Sequence, residues 1–200
     1  MIGVIDYGMG NLESVVKAFA TVGCPARVVV APDEIGACAR LVLPGVGAFG
    51  RAMENLRERG MVEPILASVA GGIPLLGICL GLQLLFDESE EHGRHAGLGL
   101  IPGRVRRLPD DVKVPHMGWN RVERAANHRL LEGVPDGAYV YFAQSYFVEP
   151  EATDSIVATT EHGVRFPSIV ARGNVCGVQF HPEKSQRWGL RMLANFGGPR

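Results

Sequence analysis

Through its first half the chain alternates short, unbroken apolar runs with segments whose apolar residues recur at helical spacing. Residues 2–6 (IGVID) read as a buried strand, followed by the glycine-rich turn YGMGN. Residues 12–22 predict a helix that sets Leu12, Val15, Val16 and Phe19 on one face. ARVVVA (residues 26–31) predicts a second strand, and ARLVLPG (residues 39–45) a third that stops at a Pro-Gly turn. Residues 53–70 predict one or two helices, with Pro64 limiting continuity. IPLLGI (residues 73–78) predicts a fourth strand, and residues 80–86 open another helix. Strand-helix alternation with continuously apolar strands predicts the α/β class: a doubly wound, mostly parallel sheet with flanking helices.

After about residue 87 the texture changes. Glycines, prolines and short alternating segments dominate, as in GRVRRL, VPHMGWNRV, AYVYFAQSYFV, SIVATTE and FPSIVARGNVCGVQF. These predict antiparallel strands and hairpins, with one closing helix over residues 188–196. No shift in composition marks a linker, so the expectation is a single domain over residues 1–200 with a β-rich second half.

Composition narrows the function classes. With 200 residues, 46% apolar and 20% charged, the chain can bury a core without disulfide or metal staples. A formal net charge of -1 speaks against nucleic acid or a membrane surface as partner. The local arginine cluster in GRVRRL (residues 103–108) reads as a solvated strand face. The longest apolar run, residues 73–86, is interrupted by Pro74, Gly77, Gly81 and Gln83, too short and broken for the roughly 20 residues that span a bilayer. The start has an acidic Asp6 and no basic stretch, unlike a signal peptide. Cys24, Cys38, Cys79 and Cys176 form no C-x-x-C pair, which predicts reduced thiols in a cytoplasmic protein and no metal site.

The candidate chemistry starts at Cys79, framed by Gly77 and Gly81 where the fourth strand gives way to a helix. Small neighbours permit the strained strand-to-helix turn that exposes a nucleophile above a sheet, and a following helix N-terminus favours negative charge there. By itself G-I-C-L-G fits a buried structural thiol equally well. A nucleophile needs a base and the base an orienter. Of the six histidines, His92, His95, His128 and His162 read as surface residues in polar or turn contexts. His181 ends an apolar run in QFHPEKS; an extended path through Pro182 would turn Glu183 to the same side as the imidazole. A zinc deaminase reading fails because no P-C-x-x-C follows. Backbone N–H groups for an oxyanion would come from Leu80, after the nucleophile, and from Gly45, Val46 and Gly47 in LPGVGAF, if the third strand neighbours the fourth. That loop lacks the length and lysine of a P-loop.

G-I-C-L-G, P-G-V-G and H-P-E together resemble class I glutamine amidotransferases. The ordered blocks IDYGMGN, LPGVGAF, GICLGLQLLF, VPHMGWN and QFHPEKS, from residue 5 to residue 185, are similar to the glutaminase subunits of imidazole glycerol phosphate synthase, an enzyme of histidine biosynthesis. The resemblance implies a Cys79–His181–Glu183 triad that hydrolyses glutamine through a γ-glutamyl thioester, with no cofactor. It implies that Gln83, Glu91, Ser145 and Tyr146 grip the substrate, Glu91 by its ammonium group. Gln144 stands where that family usually has histidine, so a protonatable group is missing there. The implied partner is a (βα)₈-barrel cyclase that receives the ammonia and forms a heterodimer with the glutaminase. Tyr7, Met9, Asn11, Met117 and Trp119 are candidates for the docking face, the alternative for each being packing around the active site.

Overall fold

The computed structural model describes residues 1–198; the last two positions of the expected 1–200 domain lie outside the described residues. In chain order the elements are β1 (Ile2–Ile5), α1 (Leu12–Thr21), β2 (Ala26–Val29), β3 (Arg40–Gly45), α2 (Phe49–Glu58), α3 (Val62–Ala70), β4 (Leu75–Cys79) and α4 (Leu80–Leu84). There follow β5 (Phe86–Ser89), β6 (His95–Ala96), β7 (Ile101–Arg107), β8 (His116–Arg124), β9 (Ala138–Gln144), β10 (Tyr146–Pro150), β11 (Ile156–Glu161), β12 (Arg165–Arg172), β13 (Val175–Val178) and α5 (Gln186–Gly197).

Nine strands form one sheet in the order β2-β1-β3-β4-β13-β12-β11-β8-β9. The first five run parallel, and from β13 onward every pairing is antiparallel. A second sheet, β10-β7-β5-β6, lies beside it. The parallel strands are apolar throughout because both faces are covered. On one face Val4, Val42, Leu76 and Ile78 pack with Phe19 of α1 and Met192 and Phe196 of α5. On the other, Ile5, Leu41, Leu43 and Leu75 pack with Phe49 and Met53 of α2 and Ile65 of α3. Phe19 and Phe49 are fully buried, each contributing roughly 2–3 kcal/mol, well above the ~0–1 kcal/mol of a surface ion pair. Helices on both faces of a parallel sheet, with a β-rich second half, match the expected class.

Three expectations shift in detail. Pro64 does not end a helix: it sits in the first turn of α3, where a missing N–H costs nothing. The break falls earlier, at Gly60, whose φ of +66° suits a residue without Cβ. The segment carrying β13 is not purely antiparallel: β13 pairs with β12 in a hairpin and also lies parallel to β4, in the middle of the sheet. The arginines of β7 do form a solvated strand face, with Arg104 and Arg106 both paired to Glu149 across β10, at 2.7 and 3.1 Å.

Candidate active site

Cys79 closes β4 with φ 55° and ψ -111°, a conformation that costs a non-glycine residue roughly 1–3 kcal/mol. The flanking glycines make this turn possible. A Cβ on Gly77 would fall 2.6 Å from the Gly81 carbonyl oxygen, and a Cβ on Gly81 only 1.7 Å from that of Leu43 on the neighbouring strand. Any side chain at either position drives backbone into backbone. Glycine on both sides therefore lets the cysteine stand at the carboxyl end of the sheet while α4 presses against β3.

Cys79 is 6% exposed. Sγ lies 3.8 Å from the carbonyl oxygen of Ala143 and 3.9 Å from Nε2 of Gln179. His181, just beyond β13, faces it: because β13 lies parallel beside β4, residues a hundred positions apart end at the same edge. The imidazole Nδ1 stands 2.9 Å from Oε1 of Glu183, with the side chains 7% and 2% exposed. Residues Pro182–Lys184 form a 3-10 turn rather than the expected extended path. Proline's fixed φ suits the start of that turn, and the turn brings the Glu183 carboxylate back to Nδ1. The backbone of His181 is pinned as well: its N–H donates to the Tyr141 carbonyl, and the Ser185 hydroxyl donates to the His181 carbonyl at 2.6 Å. Burial works against charge on this imidazole, but contact with Cys79 and Glu183 outweighs it and raises His181 to about 10. The site is built to hold an imidazolium.

The oxyanion candidates converge on the same point. In the β3–β4 register Gly45 is the partner of Cys79, so the third strand does neighbour the fourth. A Cβ at Gly45 would fall 2.3 Å from the Tyr7 hydroxyl, 3.0 Å from Leu80 Cβ and 3.2 Å from Gly81 N; here glycine is needed for close approach. Val46 and Gly47 follow, Gly47 at φ +95°, and Leu80 is the first residue of α4. Cys79, His181, Val46, Gly47, Leu80, Gln83, Glu91, Gln144, Ser145 and Tyr146 all line one cavity of about 330 Å³. Gln83 is buried, and its Nε2 donates to the Tyr146 carbonyl at 3.1 Å. Gln144 also donates to that carbonyl, at 3.2 Å, and leaves its buried Oε1 without a partner in the protein. Glu91 accepts from the Phe49 amide at 2.6 Å. A larger cavity, about 660 Å³ beside Pro74, Cys176 and Phe196, lies at the amino ends of β4 and β13. His128 also lines it, but burial pushes the Cys176 thiol up to about 12, which keeps it from acting as a nucleophile. Among the described residues no three His, Cys, Asp or Glu side chains are grouped to hold a metal ion.

The family description Glutamine amidotransferase class-I matches residues 3–197. The chain belongs to the class I glutamine amidotransferases. It is 53% identical over 197 residues to "Imidazole glycerol phosphate synthase subunit HisH" of Desulfitobacterium hafniense (strain Y51), covering 98% of this chain and 93% of that protein. The protein of the same name from Moorella thermoacetica is also 53% identical, with the same shares covered. Among solved structures, "Structure of PurLQS from Thermotoga maritima" superposes with a TM-score of 0.80 at 17% identity, over 98% of this chain and 96% of that one. "Crystal structure of glutamine amidotransferase" gives 0.78 at 21% identity and 99% coverage of both. At such identities the likeness concerns the fold alone.

Within this class I glutamine amidotransferase, the residues proposed for docking separate into two kinds. Met117 and Trp119 are 64% and 46% exposed on β8, Asn11 is exposed and Met9 half-buried. Tyr7 is fully buried and does not belong to any docking face. Its ring packs in the core and its hydroxyl backs Gly45, because the turn after β1 folds inward behind the β3 loop. Three histidine readings also change. His95 is half-buried, its ring packed against Gly50 of α2. His162 is half-buried and stacks on His116 with ring centroids 4.0 Å apart, and His128 is half-buried with Nδ1 accepting from the Leu130 amide. Sequence reasoning missed Gln179. Fully buried, it accepts from Gln83 Nε2 at 3.2 Å and directs its own Nε2 at Cys79 Sγ. A polar residue between Val178 and Phe180 in a buried run was the available signal.

Proposed function

We propose that this chain is the glutaminase subunit of an imidazole glycerol phosphate synthase, acting in the cytoplasm as a heterodimer with a (βα)₈-barrel cyclase. The observation that carries the proposal is the Cys79–His181–Glu183 constellation at a strained strand-to-helix turn, inside a cavity shared with Gln83 and Glu91. The names and identities of the relatives support the pathway, and four free cysteines agree with a reducing compartment. Among the described residues no helix is long and apolar enough to cross a membrane.

In this mechanism Cys79 attacks the side-chain carboxamide carbon of glutamine as His181 takes the thiol proton. The developing oxyanion is met by backbone N–H groups of the 45–47 loop and of Leu80. His181 returns the proton to the leaving nitrogen, the C–N bond breaks, and ammonia departs from a γ-glutamyl thioester. Water, deprotonated by the same imidazole, then releases glutamate and regenerates the thiol. Glu183 orients the ring and balances its charge throughout. Glu91 faces the substrate ammonium, while Gln83, Ser145 and Tyr146 hold the other end. Gln144 adds hydrogen bonds without a titrating ring.

Ammonia in bulk water at neutral pH is mostly protonated and no longer nucleophilic, so a biosynthetic glutaminase gains by discharging into a docked synthase. Exposed Met117 and Val46 line the Cys79 cavity, exposed Trp119 follows two residues along β8 from Met117, and together they suit that docking. Glutamine hydrolysis measured for the subunit alone, with the cyclase, and with the cyclase plus its nucleotide ligand tests the reading. The expected result is weak activity alone and a rise of at least tenfold, about 1.4 kcal/mol off the activation barrier, with the liganded partner. Full activity in isolation would make the protein a free-standing glutaminase.

A further inference from the structure

Helix α2 starts at Phe49 behind Ala48, which has no side chain able to cap it. The cap comes from elsewhere in the chain: Glu91 Oε2 accepts the Phe49 amide at 2.6 Å across 42 residues. A carboxylate in this position satisfies an otherwise orphaned N–H and complements the positive end of the helix. Glu91 is itself held, its amide donating to the Ser89 hydroxyl at 3.1 Å.

The start of α2 is also the end of the loop that carries Val46 and Gly47. At its other end Gly45 is fixed in register with Cys79 and pressed against the Tyr7 hydroxyl. Between these anchors Val46 is 45% exposed, so packing does not hold it down. The path of the two N–H groups is therefore set by the anchors, and Glu91 supplies one of them. The same carboxylate lines the Cys79 cavity and stands near the Tyr146 phenol, which is raised by burial and, after that, by the charge of Glu91.

We propose that Glu91 is a positioning residue for the oxyanion loop as well as a contact for the substrate ammonium, so that one side chain both recognises glutamine and holds the loop through Phe49. The inference rests on the glutaminase reading above. A carboxylate has two oxygens, and one on the Phe49 amide leaves the other for an ammonium group.

Glu91→Gln and Glu91→Ala separate the two roles, because glutamine keeps a neutral acceptor for the amide while alanine keeps none. The complex with the cyclase is assayed on glutamine and on glutaramate, which lacks the α-amino group. On glutamine both variants raise KM. On glutaramate Glu91→Gln stays within about twofold of wild type in kcat/KM, whereas Glu91→Ala falls roughly tenfold or more as the loop loses its cap. Alkylation of Cys79 by iodoacetamide proceeds at the wild-type rate in both. Amide hydrogen exchange over residues 46–49 reads the same contrast without turnover, faster in Glu91→Ala and unchanged in Glu91→Gln.

The proposal is overturned if Glu91→Ala matches wild type on glutaramate, or if both variants lose kcat/KM equally. Slowed alkylation in the alanine variant would also overturn it, by moving the defect to the nucleophile. Should glutaramate not be turned over at all, unchanged exchange in Glu91→Ala overturns it. Failure of the wild-type complex to hydrolyse glutamine would instead sink the glutaminase reading.

Discussion

Replacing Cys79 with alanine abolishes glutamine-dependent synthesis by the complex and leaves ammonia-dependent synthesis at its wild-type rate. The covalent route has no substitute once the thiol is gone, and losing a nucleophile of this kind typically costs roughly 10⁴- to 10⁶-fold in kcat. None of the other cysteines can step in. Cys176 is buried at the far end of β13, where burial pushes its thiol up to about 12. Cys38 is packed against Gly3, and Cys24 against Gly197. The variant keeps the fold, since the substitution removes one buried atom and adds none. Assays at saturating ammonia and at saturating glutamine, on the same preparation of the complex, separate the outcomes. Loss of both activities with the complex still formed would remove Cys79 from the role assigned to it.

Glu183→Gln lowers glutamine hydrolysis by roughly 10²- to 10⁴-fold while leaving KM for glutamine nearly unchanged. The amide can still accept from Nδ1, so ring orientation survives, but the charge that sustains the imidazolium is gone. Both side chains are almost fully buried, so solvent and salt screen little of that charge. The pH dependence follows from the direction of the shift. His181 is raised from 6.5 to about 10 in the folded chain. Its proton therefore contributes stability that is fully present below pH 6.5 and is lost as pH rises through about 10. Cys79 and then Glu183 hold that proton, so chemical denaturation across that window should show wild type losing stability with rising pH and Glu183→Gln, which keeps only the Cys79 contact, losing less. A variant with wild-type kcat, or with the wild-type pH dependence of stability, would contradict the coupling.

The parallel half of the fold was legible because each strand is buried on both faces and leaves an unbroken apolar run. IGVID, ARVVVA, ARLVLPG and IPLLGI became β1 to β4 with bounds altered by only a few residues. The second half was legible as strands but not as a layout. VCGV reads as one arm of a hairpin, which it is, and nothing local says that it also inserts beside β4. That insertion is what carries His181 to Cys79. The four-stranded sheet built on β7 was equally invisible, since β5 and β7 pair parallel across an intervening strand.

At the site, residues with a local reason to be unusual stood out: a cysteine between glycines, a histidine before Pro-Glu at the end of a buried run. Contacts made at long range did not. The Glu91–Phe49 bond, the Gln83–Gln179 pair and the His116–His162 stack each join distant segments that look ordinary by themselves. Tyr7 misled for the same reason: an aromatic among glycines suggests exposure until the turn is seen folding under β3.

The most direct test is to acid-quench the complex during glutamine turnover and map covalent adducts by mass spectrometry of its peptides. A γ-glutamyl group on the peptide carrying Cys79, absent from the peptides of Cys24, Cys38 and Cys176 and lost in Cys79→Ala, is the predicted result. Steady hydrolysis of glutamine with no adduct on Cys79, or with the adduct on another cysteine, would contradict the account.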